Sequence, residues 1–128
     1  MSLRSPLRIV AGLGSARGGS GHWYAQRVSA VALALLGLWL VIALASLGGA
    51  SHARVVGWLS SPVSSALAVL LVLAAAWHAL LGLQVVIEDY VSDKGSRAAI
   101  LFAVKFALAV AAVVGVMAVL RIAFGAAA

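Results

Sequence analysis

Three long apolar stretches dominate this sequence, and each is long enough to cross a lipid bilayer as a helix. A transmembrane helix needs about 20 mostly apolar residues, because the hydrocarbon core of a bilayer is about 30 Å thick. We predict spans over residues 24–47, 62–88 and 98–120. Since 65% of the 128 residues are hydrophobic and 9% are charged, we expect no soluble catalytic domain. The predicted fold class is an all-α membrane protein with three transmembrane helices.

The segments outside the spans are short. Residues 1–23 are rich in Gly, Ser and Arg, and their glycines predict an extended or irregular arm as far as Gly21. A signal peptide is an alternative interpretation, because residues 43–45 (Ala-Leu-Ala) resemble a cleavage site. The apolar run before them is longer than is typical of a signal peptide, so we expect a retained first helix. Residues 123–128 would form a short C-terminal tail.

The boundaries of the second span carry local signals. Ser61 followed by Pro62 is typical of a helix start, because Ser caps the first backbone N–H groups and Pro fits the first helical turn. Gly48 and Gly49 are typical of the end of the preceding helix.

Basic residues predict the orientation in the membrane, because Lys and Arg are retained on the cytoplasmic side. Six cations lie beside the N-terminus and the second loop, and two lie on the opposite side. The larger group is Arg4, Arg8, Arg17, Arg27, Lys94 and Arg97, and the smaller is Arg54 and Arg121. We therefore predict a cytoplasmic N-terminus and a periplasmic C-terminus.

The net charge of +6 does not form a basic stripe of the kind that binds nucleic acid, since the cations are spread beside apolar runs. The chain contains no cysteine, so it holds no disulfide and no thiolate-ligated metal cluster of its own.

His78 is the one ionisable side chain between Ala66 and Leu83, in the middle of the second span. Ionisable groups at such depth are costly and usually functional. A neutral imidazole is a common ligand of haem iron, and helical bundles often hold cofactors between facing helices. The alternative is a neutral histidine that hydrogen-bonds to a neighbouring helix and only stabilises packing.

Helical geometry places Gly82 and Asp89 near the face of His78, with Asp89 returning to within about 20° of it. A glycine at this position leaves room for a flat macrocycle, although small residues also serve plain helix packing. Asp89 lies about 16 Å from His78 along the helix axis, which is too far for direct contact.

Asp89 and Tyr90 lie where the second helix meets the inner interface. A phenol can donate a hydrogen bond to a carbonyl, and a carboxylate can relay a proton. Alternatively, Tyr90 is an interfacial anchor and Asp89 a solvated charge. Arg27, at the start of the first helix, either sets the topology or neutralises a carboxylate of a cofactor.

The pattern His78-x3-Gly82-x6-Asp89-Tyr90, in the second of three spans, resembles the small hydrophobic membrane anchor of bacterial succinate dehydrogenase. Residues 12–17 (Gly-Leu-Gly-Ser-Ala-Arg) and 22–30 (His-Trp-Tyr-Ala-Gln-Arg-Val-Ser-Ala) resemble the alphaproteobacterial form of that anchor. Ser29 stands where that family usually has Thr, which keeps the hydroxyl.

This resemblance implies a function for each candidate residue. His78 would be one axial ligand of a haem b, and a sister anchor subunit would supply the other. Tyr90 and Asp89 would border the ubiquinone site, and Arg27 would lie near a haem propionate. The three spans would then form one bundle with the sister anchor subunit.

The resemblance also implies a non-catalytic role, with no catalytic residue in this chain alone. The partners would be the flavoprotein and iron–sulfur subunits of complex II in the cell inner membrane, and electrons from succinate would reach ubiquinone. Two alternatives remain: a structural or assembly protein without haem, and a small proton-coupled transporter. A transporter would use a carboxylate deep in the membrane, whereas all three acids lie at the inner boundary.

Overall fold

The computed structural model describes residues 16–125, and the side chains from residue 20 onward. It consists of four helices: α1 (Ala16–Ser46), α2 (His52–Leu59), α3 (Pro62–Tyr90) and α4 (Lys94–Ala123). Helices α1, α3 and α4 are long and apolar enough to cross a membrane. Residues 16–125 include no strand. The predicted all-α fold with three transmembrane helices is confirmed.

The start of α3 and the end of α1 lie where local sequence signals predict them. The Ser61 side chain accepts a hydrogen bond from the Ser64 backbone N–H, and Pro62 opens α3. After α1, Gly49 adopts a left-handed conformation with φ of 71°, which glycine reaches without steric cost. The ends that these residues predicted are confirmed.

The start of α1 differs from the prediction. The helix begins at Ala16, upstream of Tyr24, so the prediction of irregular backbone is wrong for residues 16–21. A glycine inside a helix costs about 1 kcal/mol relative to alanine, and a long continuous helix can offset such local costs. Residues 1–15 of the predicted arm and 126–128 of the tail lie outside the described residues.

Helix α2 occupies what was expected to be a loop between the first two spans. Ser51 caps it by accepting a hydrogen bond from the Arg54 N–H. Trp58 of this helix stacks on Trp39 of α1, with the ring centroids 5.7 Å apart. The Ser60 hydroxyl donates to the Ile122 carbonyl at 3.1 Å, which ties the end of α2 to α4.

Helix α3 is the centre of the molecule. Helices α1 and α4 both pack against α3, and within residues 16–125 their backbones do not approach one another closely. Few side chains are buried by this arrangement, namely Ser29, Ala43, Ser64, Leu81 and Ile87. Most of the apolar surface is therefore turned outward, where lipid or other helices can cover it.

Gly115 lies at a tight point of the seam between α3 and α4. A Cβ atom at this position would lie 2.9 Å from Cγ1 of Val72. Membrane helices gain little hydrophobic free energy by pairing, so small residues that permit close van der Waals contact favour association.

Candidate functional site

His78 is hydrogen-bonded across the seam between α1 and α3. Its Nδ1 atom lies 2.9 Å from Oγ of Ser29, which belongs to α1. Ser29 is only 7% exposed, so this polar contact is shielded from its surroundings. The structure thus gives the one ionisable residue in the middle of α3 a specific partner on another helix.

The contacts around Ser29 are compatible with a lone pair on Nε2 of His78. The Ser29 hydroxyl donates to the Gln26 carbonyl at 3.0 Å, and a carbonyl can only accept. With its single proton used in this way, the hydroxyl accepts from Nδ1–H of His78 in the ring tautomer whose lone pair lies on Nε2.

The side chain of Gln26 approaches the other ring nitrogen. Its Nε2 amide lies 3.5 Å from Nε2 of His78, which is a long contact. Gly82 makes room for this amide, since a Cβ atom there would lie 3.6 Å from it. Helix α1 therefore contacts both nitrogens of the ring.

A cavity of about 630 Å³ opens beside this cluster, toward the end of α3 where Glu88 lies. It is lined by His22, Trp23, Gln26, Gly82, Gln84, Val85 and Glu88. Two buried polar atoms, Nε2 of His22 and Oε1 of Gln26, have no hydrogen-bond partner within the described residues. Buried polar atoms are nearly always paired in proteins, so these two atoms mark an incompletely satisfied polar region next to the cavity.

A second hollow of about 450 Å³ follows the same seam. Its wall is mostly apolar and is made by Tyr24, Ala25, Val28, Ser29, Ala32, Ala74 and Trp77. Ser29 lines this hollow and Gln26 lines the larger cavity. The cluster at His78 is consequently bordered by open space on two sides.

Arg27 lies at the rim of the larger cavity. Its guanidinium stacks over the ring of Trp23, 5.4 Å from the centroid, and Trp23 lines the cavity. The Arg27 side chain is exposed and is not part of the cavity wall. Its role beside a haem propionate stays a prediction.

Asp89 and Tyr90 form the exposed end of α3. Tyr90 is 85% exposed, and neither residue lines the two hollows at His78. The neighbouring acid Glu88 differs from Asp89, because its carboxylate accepts a hydrogen bond from the Gln84 side chain at 2.8 Å. The predicted quinone-binding pair is thus presented outward, and its role also stays a prediction.

Asp93 has a structural role at the start of α4. Its carboxylate accepts a hydrogen bond from the Ser96 backbone N–H at 2.7 Å and caps the helix. This bond is the main reason that the pKa of Asp93 lies below its ordinary value of 3.8. The three acids that the sequence places at the inner boundary are therefore divided between the last turn of α3, which holds Glu88 and Asp89, and the cap of α4, which is Asp93.

The part of the chain that the structure describes contains no group of three or more His, Cys, Asp or Glu side chains able to enclose a metal ion. The candidate ligand is instead the single imidazole of His78, which lies on α3 and contacts Ser29 of α1.

Comparison with known proteins places these features in a family. The family model for the succinate dehydrogenase/fumarate reductase transmembrane subunit matches residues 1–116. The chain belongs to this family. The resemblance that the sequence motifs indicated is confirmed.

Curated relatives agree with the family match. The chain is 34% identical to the succinate dehydrogenase hydrophobic membrane anchor subunit of Paracoccus denitrificans, over 95% of this chain and 94% of the relative. It is 40% identical to the protein of the same name from Rickettsia bellii, over 72% of this chain and 74% of the relative.

The sequence did not identify His22, Gln26 and Ser29 as part of the candidate site around His78 and its cavity. These residues are spaced by four and then three positions on α1, which is the spacing of one helical face. This polar stripe on an otherwise apolar helix was the signal that would have found them. Pairing the stripe with His78 required knowledge of how α1 and α3 pack.

Proposed function

We propose that this chain is the membrane anchor subunit of a succinate dehydrogenase that provides one axial ligand of a haem b and part of a ubiquinone-reduction site. The single observation that carries the proposal is the position of His78 in the middle of α3, where Nδ1 contacts Ser29 of α1 and the neighbouring residues Gln26 and Gly82 line a cavity. A metal-binding imidazole must offer a lone pair at one nitrogen, and the other usually donates a hydrogen bond.

The residues around the cavity fit a haem. A volume of about 630 Å³ lies within the range of sites for small molecules and cofactors. His22 and Gln26 place polar side chains in the cavity wall, and the glycine at position 82 keeps the α3 wall open. When bound, haem supplies a one-electron redox centre close to the quinone.

His78 itself does not line the cavity, because the Gln26 amide contacts Nε2 of the ring. Gln26 must turn away for Nε2 to bind iron. The contact is long, at 3.5 Å, and an interhelical hydrogen bond in a membrane contributes only about 0.6 kcal/mol on average. This displacement therefore requires little free energy.

Tyr90 and Asp89 are proposed to contribute to the quinone site. The Tyr90 hydroxyl would donate to a quinone carbonyl, and Asp89 would pass a proton toward it. Both side chains are exposed in this chain, which suits a site whose other walls come from partner subunits.

The same proposal supplies partners and a location. The outward apolar faces of the three long helices suit a bundle with the sister anchor subunit in the cell inner membrane. The polar inner ends of α1 and α3 would face the iron–sulfur and flavoprotein subunits. The N-terminus would lie in the cytoplasm and the C-terminus in the periplasm, as the distribution of cations indicates.

Replacing His78 tests the haem assignment. We expect His78→Ala to abolish or strongly disturb the haem absorption bands of the purified complex, because iron loses one axial ligand. The exposed His52 at the start of α2 offers a matched control, and His52→Ala should leave the bands unchanged. Normal bands in the His78→Ala complex would instead support a structural or assembly subunit without haem.

A proton-coupled transporter is disfavoured by the placement of the acids. Glu88 and Asp89 lie in the last turn of α3, and Asp93 caps α4. The sequence has no fourth acid, so no carboxylate lies deep in a span to exchange a proton with a substrate.

A further inference from the structure

We propose that Ser29 is a positioning residue for His78, and that its hydroxyl fixes both the orientation and the protonated nitrogen of the imidazole. This inference rests on the proposed function, since it assigns Nε2 of His78 as the iron-binding atom. It concerns α1, whereas the ligand itself lies on α3.

Oγ of Ser29 lies 2.9 Å from Nδ1 of His78, and the hydroxyl donates to the Gln26 carbonyl at 3.0 Å. The carbonyl belongs to the backbone of the same helix turn, so the acceptor is held in place. A hydroxyl whose own proton is engaged in this way favours the tautomer that has its proton on Nδ1, as donor to Oγ, and its lone pair on Nε2.

Burial strengthens the effect of the hydroxyl. Ser29 is 7% exposed, so water cannot readily replace Oγ as a partner for Nδ1–H. Without the hydroxyl, the ring would lose its only short hydrogen bond among the described residues, since the Gln26 contact is long. The proton could then move to Nε2, where it blocks metal binding.

Gln26 and Ser29 have different roles at the His78 ring. They are three residues apart on α1 and contact opposite nitrogens of the ring. Ser29 makes the short contact and holds the ring, while Gln26 makes the long contact that must open. Ser29, the partner in short contact with His78, and Gln26, the partner to be displaced, thus lie on one helical face.

The test compares three serine variants in the purified, fully assembled complex. Ser29→Ala removes the hydroxyl, and Ser29→Thr keeps it. Ser64→Ala is the matched control, because Ser64 is also 7% exposed but bonds to Ser61 rather than to His78. The readouts are the ratio of haem to flavin, the rate of haem loss, and the electron paramagnetic resonance spectrum of the ferric haem.

We expect Ser29→Ala to weaken haem retention about 10-fold and to shift the resonance spectrum, as is usual when the hydrogen-bond partner of a metal-binding histidine is removed. Ser29→Thr and Ser64→Ala should match the unmodified complex. This pattern would support a specific effect of the hydroxyl.

Other patterns overturn the inference. If the Ser29→Ala complex retains haem as well as the unmodified complex does, the hydroxyl does not position His78. The same conclusion follows if the Ser29→Thr complex loses as much haem as the Ser29→Ala complex. An equal loss in Ser64→Ala points to general packing. If these patterns occur while His78→Ala still loses haem, the proposed function stands without the role of Ser29. If His78→Ala keeps its haem, the proposed function fails and this inference fails with it.

Discussion

His78 illustrates how a residue acquires chemistry from its neighbours. An isolated imidazole in an apolar helix can place its proton on either nitrogen. Here Oγ of Ser29 contacts Nδ1, and the Gln26 amide faces Nε2. Position in the sequence identified His78 as unusual, but the state of its ring depends on two residues of another helix.

Asp89 is the residue whose charge matters most for the proposed proton supply. We expect Asp89→Asn to slow quinone reduction roughly 100-fold, the lower end of the range for a positioned proton-transfer group, because an amide cannot relay a proton. Haem content should stay normal. The measurement is steady-state quinone reduction by the purified complex, and unchanged turnover would contradict a role in proton transfer.

Asp93→Asn is the matched control for that experiment. Asparagine caps a helix about as well as aspartate, so α4 should form normally. The lowered pKa of Asp93 means that its cap is fully formed above the ordinary pKa of 3.8 and is lost only as the pH falls through the lowered value. Near neutral pH the carboxyl therefore stays ionised, and we expect Asp93→Asn to leave turnover unchanged.

Helix lengths and several helix ends follow from simple sequence signals. Length and hydropathy predict α3 and α4, and Ser61 with Pro62 marks the start of α3. The short helix α2 was missed, because eight residues between two spans give little periodicity. The early start of α1 was missed because glycine content was taken to exclude a helix.

The contact between α3 and α4 can be tested at Gly115. We expect Gly115→Ala to destabilise the seam, because the new Cβ would lie 2.9 Å from Cγ1 of the stiff, branched Val72. Such overpacking costs about 1–3 kcal/mol, while the better helix propensity of alanine returns about 1 kcal/mol. The thermal stability of the detergent-solubilised complex measures the difference.

Gly37 provides the control for this variant. It lies inside α1, and a Cβ there would have no atom within 4 Å among the described residues. We expect Gly37→Ala to be neutral or slightly stabilising. Equal destabilisation by both variants would show that the close approach at Gly115 is not the cause.

At the scale of the whole molecule, the orientation in the membrane can be determined with introduced thiols, because the chain has no cysteine. Ala53→Cys in α2 and Ser92→Cys between α3 and α4 are both at exposed positions. With a cytoplasmic N-terminus, a membrane-impermeant maleimide should label Ala53→Cys, but not Ser92→Cys, in intact spheroplasts. The reverse labelling would invert the predicted topology.

The candidate site was only partly predictable, because it depends on how separate helices meet. The sequence identified His78 and Gly82 from their place on one helix, but not the facing stripe of α1. Asp89 and Tyr90 are exposed in this chain, which explains why neither lines the two hollows at His78. Their remaining contacts would come from the proposed partner subunits.

Helices α1 and α4 pack against α3 at two different seams, and their backbones do not approach one another closely. A change in α4 reaches His78 through the body of α3 or by way of α2, which contacts both α4 and α1, whereas a change in α1 acts on the ring directly. Free-energy changes at distant sites that share no partner generally add. We therefore expect substitutions at the α3–α4 seam to affect the His78 imidazole less than substitutions in α1 do, so that α4 tolerates more sequence variation than α1.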